Sequence, residues 1–236
     1  MCTVTYLPLP NKHFLLTHNR DEKNERAIAS FPEYKTIENK KTIYPTDTKA
    51  LGTWIALHEN YAICLLNGGF QKHVSKPPYR HSRGHVILDF LRYKDISDFL
   101  YQYNIDQIEP FTLLVVEKKN RFLYQITLDN EKLHYEILND KEAHIWSSTT
   151  LYSETQRQIR KKYFSRFVEE NVFTKENIIK FHTNKYEQMP HEGIKINREN
   201  ILSTVSLSFI SVQDKEYFYY EDFKQKKNEL FLFHGE

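Results

Sequence analysis

The sequence predicts an α+β protein with largely antiparallel sheets. Short β-rich runs open the chain, helical patterns fall into two separate blocks, and strand patterns return at the end. Grouped strands and grouped helices, rather than a regular alternation of the two, are typical of this class. Two separate helical blocks favour helices on both outer sides of the sheets. No repeat, Gly/Ser linker or change of composition interrupts the chain, so we expect a single domain over residues 1–236.

Two β-hairpins are predicted in the first third of the chain. Residues 3–7 and 14–17 are β-rich and flank the turn-prone segment LPLPNK. Residues 53–57 and 61–66 flank a polar HEN turn in the same way. The polar stretch 22–50 between the hairpins indicates a long loop with room for one short strand.

Helix signals follow the second hairpin. Ser82 is the expected cap of a helix through VILDFL, and Asp95 or Ser97 begins a short helix that ends near Leu100. Ser153, with Gln156 three residues later, forms the capping signature of the longest helix. The remaining predicted elements are strands at 111–118, 121–128, 132–138, 203–212, 216–221 and 230–233, and helices at 153–170 and 174–182.

Composition excludes several classes of function. Lys and Arg total 33 against 31 acidic residues, a net charge of +2, which gives no general attraction to nucleic acid or to a membrane surface. A content of 40% hydrophobic and 14% aromatic residues argues against disorder and for a substantial core. The N-terminus lacks the pattern of a signal peptide, and no apolar run is long enough for a membrane span. We therefore expect a cytoplasmic protein.

Cys2 is the first candidate for chemistry. Methionine before a small residue is commonly removed, which would leave Cys2 as the first residue. A terminal cysteine carries a nucleophile and a base together, because an α-amine has an ordinary pKa of about 7.7–8.0. The amine takes the thiol proton and later delivers it to the leaving group, as in other base-activated nucleophiles.

Such a site also needs a positive group to favour the thiolate, a carboxylate to hold the amine, and donors for the oxyanion. If the first two strands pair around a loop centred near residue 11, Cys2 lies opposite residue 19 or 20. Arg20 and Asp21 then arrive beside the nucleophile with the required charges. Taken singly, each of these residues fits an ordinary turn or terminus, and only their joint arrangement indicates a site.

Four blocks occur in order along the first third of the chain: MC at the start, HNRDE at 18–22, LGTWIAL at 51–57 and LLNGGF at 65–70. Together with further matches at 79–84, 108–117, 145–152 and 203–210, these blocks resemble the NRDE family, also called the Transport and Golgi organisation protein 2 family. That family is similar to N-terminal nucleophile hydrolases of the choloylglycine hydrolase and penicillin acylase kind. The resemblance implies a four-layer αββα sandwich.

The resemblance also implies roles for individual residues. Cys2 is the expected nucleophile, Arg20 and Asp21 position and tune it, and Asn67 helps to form the oxyanion hole. Where the hydrolases have a late Asn, this sequence has Ser147 or Ser148, and Arg198 is the candidate for their second late Arg. The candidate substrate-binding residues are Asn19, Trp54, Gly68 and Ser148.

Two functions are therefore open. The first is a cysteine N-terminal nucleophile hydrolase that cleaves a non-peptide carbon–nitrogen bond of a small molecule without a metal or an organic cofactor. The second is a non-catalytic carrier of a small hydrophobic ligand such as haem, lipid or acyl-coenzyme A, which the resemblance admits. Neither function defines the substrate or the oligomeric state, and neither involves nucleic acid.

Other features favour ordinary structural roles. His81 and His85 are four residues apart and His73 is near, but no carboxylate or cysteine pattern completes a metal site. The basic run IRKKYFSRF at 159–167 lies among glutamates and indicates a solvated helix face. Cys64 lies in a strand pattern and is expected to pack in the core, as Trp54 and Trp146 would if they line no pocket.

Overall fold

A computed structural model of the chain describes residues 2–129, 131–184, 193–199 and 201–233. These residues form two compact units. The first unit combines the N-terminal segment up to Arg26 with the segment from Asp140 onwards, and the second is formed by Ala27–Asn139.

Strands dominate both units. The strands are β1 (Cys2–Pro8), β2 (Phe14–Lys23), β3 (Glu33–Ile37), β4 (Lys40–Tyr44), β5 (Ile55–His58), β6 (Tyr61–Asn67), β7 (Phe111–Glu117), β8 (Leu123–Leu128), β9 (Leu133–Leu138), β10 (His144–Ser147), β11 (Asn197–Arg198), β12 (Leu202–Val212), β13 (Glu216–Asp222) and β14 (Lys227–Phe233). The helices are α1 (His85–Phe90), α2 (Ile96–Gln102), α3 (Glu154–Glu170) and α4 (Lys175–Thr183).

The sheet of the first unit is antiparallel, with strand order β10-β1-β2-β12-β13-β14 and β11 paired to β12. Because side chains alternate along a strand, this sheet has two distinct faces. We call the face that carries Cys2, Val4, His18 and Arg20 the thiol face. The opposite face carries Thr3, Thr5, Asn19 and Asp21 and is called the helix face.

The helix face owes its name to α3 and α4, which pack on it. Phe164 and Phe167 are three residues apart, so they lie on the same side of α3 and form its apolar side. The start of α3 is a complete capping box, in which the Ser153 hydroxyl and the Gln156 side chain each bond the other residue's backbone N–H. The hydrophobic cluster under these helices contains Leu7, Leu15, Phe164, Phe167, Ile178, Phe181, Ile194, Leu207 and Phe209.

The second unit is a seven-stranded antiparallel sheet in the order β3-β4-β5-β6-β7-β8-β9, with α1 and α2 packed against it. Its strands run in sequence order, so each strand pairs with the next along the chain. Its core is formed by alternate residues of the central strands and by the aromatic side of the two helices: Ile63, Leu65, Leu113, Val115, Ile126, Val86, Phe90 and Phe99 are the main members.

The fold class is confirmed, since helices and antiparallel sheets both occur in the predicted arrangement. Both predicted hairpins, the three-strand meander, the two long helices and the three C-terminal strands are present. Asp95 is the cap of α2, as one of the two alternatives predicted, and accepts a hydrogen bond from the Asp98 backbone N–H at 2.9 Å. Among the residues described, no helix is long and apolar enough to cross a membrane.

Two predictions about local structure were wrong. Residues 22–50 hold more strand than the single short one predicted, because β2 continues to Lys23 and β3 and β4 form a further hairpin. Its two turn residues, Glu38 and Asn39, have positive φ angles of 46° and 60°, which suit the twist of a two-residue hairpin turn. Ser82 does not cap α1, which begins after Gly84 without a side-chain cap. The short strand β11 was not predicted.

Two glycines of the second unit meet backbone to backbone. The amide of Thr53 donates to the carbonyl of Gly84 at 3.0 Å, which draws the two segments together. A Cβ atom on Gly52 would lie 2.5 Å from the carbonyl carbon of Gly84, closer than non-bonded atoms allow. The contact therefore explains why the LGTW and HSRG segments both contain glycine.

Replacing Gly52 by Ala is expected to destabilise the protein by about 1–3 kcal/mol, because the added methyl group overpacks against backbone. Gly84→Ala should cost less, since its Cβ would meet the Thr53 carbonyl oxygen at 3.0 Å. The free energies of unfolding in urea measure both changes. Equal stability of Gly52→Ala and the parent protein would contradict the close contact.

Candidate active site

The loop between β1 and β2 sets the position of Cys2. The five-residue loop Leu9–His13 is closed by a hydrogen bond of 2.8 Å from its first amide to its last carbonyl, and Asn11 at its centre adopts a left-handed φ of 57°. With this loop, Cys2 pairs directly with Arg20. Directly opposed residues place their side chains on the same face, so Arg20 lies beside Cys2 on the thiol face. The predicted register is confirmed.

Cys2 is a buried residue, with an exposed fraction of 3%. Burial raises the pKa of its thiol, and the negative charge of Asp21 adds to this rise, whereas the positive charge of Arg20 opposes it. The carbonyl of Cys2 accepts a hydrogen bond of 3.0 Å from the amide of Ser148, just beyond β10. Strands on both sides therefore fix the backbone of Cys2.

Arg20 is buried on the thiol face, between Cys2 on β1 and Ser206 on β12. Its guanidinium lies 3.7 Å from a carboxylate oxygen of Glu22, two residues further along the same face of β2. The guanidinium is thus a buried positive charge on the same face as the Cys2 sulfur, and its charge acts on the thiol in the direction that favours a thiolate.

Asp21 follows Arg20 on β2 and therefore turns its side chain to the helix face. It is fully buried, and each carboxylate oxygen accepts a hydrogen bond of 2.6 Å, one from the Tyr152 hydroxyl and one from the Thr204 hydroxyl. Burial raises the pKa of Asp21, while Arg160 and the two hydroxyl groups act in the opposite direction. A β-bulge between Thr204 and Ser206 places Thr204 opposite Asp21.

The prediction that the basic run of α3 forms a solvated face is wrong for Arg160. Lys161, Lys162 and Arg166 are exposed, but Arg160 is fully buried. Its guanidinium carbon lies 3.7 Å from the centre of the Tyr152 ring.

The guanidinium of Arg160 donates hydrogen bonds to the Thr3 hydroxyl and the Gly193 carbonyl. The guanidinium of Arg198, the candidate for the second late Arg, lies 5.5 Å from the centre of the Tyr152 ring.

Asn19 and Ser148, two of the candidate substrate-binding residues, also belong to the first unit. The side-chain amide of Asn19 donates to the carbonyls of His182 and Ile194, at 2.8 and 3.1 Å. The carbonyl of Ser148 accepts from the amide of Tyr152 at 3.0 Å. Both residues are buried and hold backbone segments of the site, and their contacts with substrate stay predictions.

Asn67, Gly68 and Trp54 belong to the second unit. Asn67 is the last residue of β6, and Gly68 follows it with a φ of 94°, which glycine adopts without strain. The amide of Gly68 donates to the Pro110 carbonyl at 2.9 Å, so the turn is held to the start of β7. Trp54 is buried just before β5. The oxyanion and substrate-binding roles of these three residues stay predictions.

Tyr152, Thr204 and Arg160 were not singled out as site residues from the sequence. Tyr152 lies in the WSSTTLY segment, but nothing there indicates a partner at Asp21, 131 residues away. For Arg160, a signal was present: it precedes Phe164 and Phe167 by four and seven residues and so shares their buried side of the helix.

A known structure shares this fold. The penicillin V acylase from Agrobacterium tumefaciens matches 98% of this chain and 85% of its own, with a TM-score of 0.58 and 10% sequence identity. The fold is therefore that of the N-terminal nucleophile hydrolases, as the sequence resemblance implied.

The family model described as Transport and Golgi organisation 2 matches residues 1–225, nearly the whole sequence. The chain belongs to this family. No curated protein sequence matches it.

His182 on α4 is expected to make stability depend on pH. Burial, with the nearby His18 and Arg160, lowers its pKa to about 3, below the ordinary 6.5, and its Nε2 bonds the Thr5 hydroxyl at 2.8 Å. The unfolded chain then binds a proton before the folded protein does, so this contribution is complete above pH 6.5 and is lost as the pH falls towards 3. In His182→Gln, the free energy of unfolding should fall less steeply over that range.

Ile178→Val on the same helix is the control for loss of packing. It is expected to lower stability by about 1 kcal/mol at every pH, with the slope of the parent protein. An unchanged slope in His182→Gln would show that His182 is not the titrating group.

Proposed function

We propose that this protein is an amide hydrolase with Cys2 as its nucleophile, acting on a small molecule after Met1 has been removed. The observation that carries the proposal is the direct pairing of Cys2 with Arg20 at the end of the first hairpin. The family match and the shared fold support it. A cytoplasmic location and a small-molecule substrate remain predictions from the sequence.

The raised pKa of the Cys2 thiol favours a mechanism in which a base on the same residue removes the thiol proton. Because burial raises the pKa of Cys2, little thiolate forms spontaneously near neutral pH. The α-amine that removal of Met1 would free is on the same residue and titrates near neutrality. It accepts the thiol proton as the sulfur attacks the carbonyl carbon of the substrate amide.

Two covalent steps then complete the reaction. The tetrahedral intermediate collapses to a thioester, and the leaving amine takes the proton from the ammonium group of Cys2. Water attacks the thioester and gives up a proton to the α-amine of Cys2. The carbon–sulfur bond then breaks, the acid product leaves, and the α-ammonium group returns the proton to the sulfur, which restores the thiol. In this proposal Arg20 stabilises sulfur anion character, Asp21 holds the ammonium group, and Asn67 donates to the oxyanion.

Processing and reactivity of Cys2 test this proposal. The intact mass of the purified protein should correspond to the chain without Met1. Iodoacetamide should alkylate Cys2 in preference to Cys64, which is fully buried in β6. Cys2→Ala should lower amide hydrolysis by about a thousandfold or more, measured with penicillin V and a panel of small N-acyl amides, whereas Cys64→Ala should retain activity.

Retention of Met1, or preferential labelling of Cys64, would contradict the proposal. So would a parent protein that binds haem, a lipid or acyl-coenzyme A tightly, with equal affinity in Cys2→Ala, and hydrolyses no member of the panel. That last result would instead support a carrier.

Arg20 offers a test that needs no substrate. Because its positive charge lowers the pKa of the Cys2 thiol, Arg20→Gln should slow alkylation of Cys2 at pH 8 by severalfold and move the midpoint of its pH dependence upward. Lys23→Gln removes the same charge at an exposed position of the same strand and is the control. Equal alkylation rates in the two variants would exclude Arg20 as the group that tunes Cys2.

A further inference from the structure

The helix face of the first unit buries two opposite charges close together. Asp21 and Arg160 are both fully buried, and the charge of Arg160 acts on Asp21. The two hydrogen bonds described for the Arg160 guanidinium go to neutral groups, a hydroxyl and a carbonyl. Buried charges are costly unless they are compensated, so an arrangement of this kind calls for an explanation.

Tyr152 connects the two charges. Its ring stacks under the guanidinium of Arg160 at 3.7 Å, and its hydroxyl donates to the carboxylate of Asp21 at 2.6 Å. Burial and the charge of Asp21 raise the pKa of Tyr152 well above its ordinary value, so the proton stays on the phenol and the phenol remains a donor. A cation over the face of the ring also makes this hydroxyl a stronger donor.

Thr204 supplies the second donor in a fixed direction. Its hydroxyl oxygen accepts the backbone N–H of Ile196 at 2.9 Å and lies 2.6 Å from Asp21. A hydroxyl group has one proton, and the amide of Ile196 already occupies an acceptor position. The proton of Thr204 is therefore directed to Asp21, and both oxygens of this carboxylate receive a donor.

We propose that Tyr152 and Arg160 are positioning residues that hold Asp21 in place, as an ionised carboxylate, for its action on Cys2. The inference rests on the proposed function, in which Asp21 holds the ammonium group of Cys2. Asp21 is near enough to Cys2 for its charge to affect the thiol. A purely structural network would not need a charge there, because well-packed apolar residues usually stabilise a core as well as buried ions do.

The charged and titratable groups near Asp21 come from several parts of the first unit. Cys2 lies on β1, Tyr152 precedes α3, Arg160 lies on α3, and Arg198 lies on β11 near the Tyr152 ring. On β2 itself, Arg20 and Glu22 flank Asp21. On α4, His182 is neutral at physiological pH, because its pKa is about 3. Arg160 is the cation of these elements whose charge acts most strongly on Asp21.

The titration of Asp21 tests the inference directly. Protein labelled with ¹³C at the aspartate carboxyl groups is titrated by NMR, and the Asp21 signal is assigned by its loss in Asp21→Asn. In the parent protein its midpoint should lie below pH 7. In Tyr152→Phe, which keeps the ring under Arg160 and removes the hydroxyl, the midpoint should rise by about one pH unit or more. Arg160→Met should raise it further.

Arg166→Gln is the matched control, since Arg166 lies on the same helix and pairs with Glu170 at the surface. It should leave the Asp21 midpoint unchanged. Tyr152→Phe keeps the test decisive if Arg160→Met fails to fold. A parent midpoint above pH 7, or the same midpoint in the parent and Tyr152→Phe, overturns the inference even if the parent hydrolyses amides. The expected shifts support it even if no amide of the panel is cleaved, so the inference and the proposed function fail separately.

Discussion

The pairing of β1 with β2 is the constraint on which the site depends. A five-residue loop sets this register, and a shift of one residue would send every side chain of β2 to the opposite face. Arg20 would then lie on the face opposite the sulfur, and Asp21 would lose its contacts with the hydroxyl groups of Tyr152 and Thr204. The positions of the charges around Cys2 therefore depend on the length of the loop between β1 and β2. The buried apolar residues of both strands keep the register in place.

Adjacent residues of β2 serve opposite sides of the sheet. Asn19 ties the helix-face backbone near α4, Arg20 lies beside the thiol, and Asp21 returns to the helix face. This alternation explains how a packed helical layer carries charge close to a nucleophile without occupying the same face. Removing either of the buried charges Asp21 and Arg160 would leave the other without compensation, so the helix face is sensitive to single substitutions at these positions.

Sequence patterns were sufficient where the determinants are local. The capping box at Ser153 follows from residues three positions apart, and the position of Arg20 follows from the loop and strand lengths of a single hairpin. The surroundings of Asp21 did not follow, because Thr204 is 183 residues away and a bulge decides which residue faces it. Arg160 was wrongly assigned to a solvated face, because that assignment considered its charge and not its four-residue spacing to Phe164 on the buried side of the helix. The hairpin of β3 and β4 was missed because its first strand is largely exposed and carries little apolar alternation.

The turn after β10 has a consequence for motion. The amide of Ser148 donates to the carbonyl of Cys2, and the carbonyl of Ser148 accepts from the amide of Tyr152. One peptide segment thus links the backbone of the sulfur-bearing residue to the phenol that contacts Asp21. Local opening of this segment would release both links in a single event, so protection of the two amides against hydrogen exchange should be lost together.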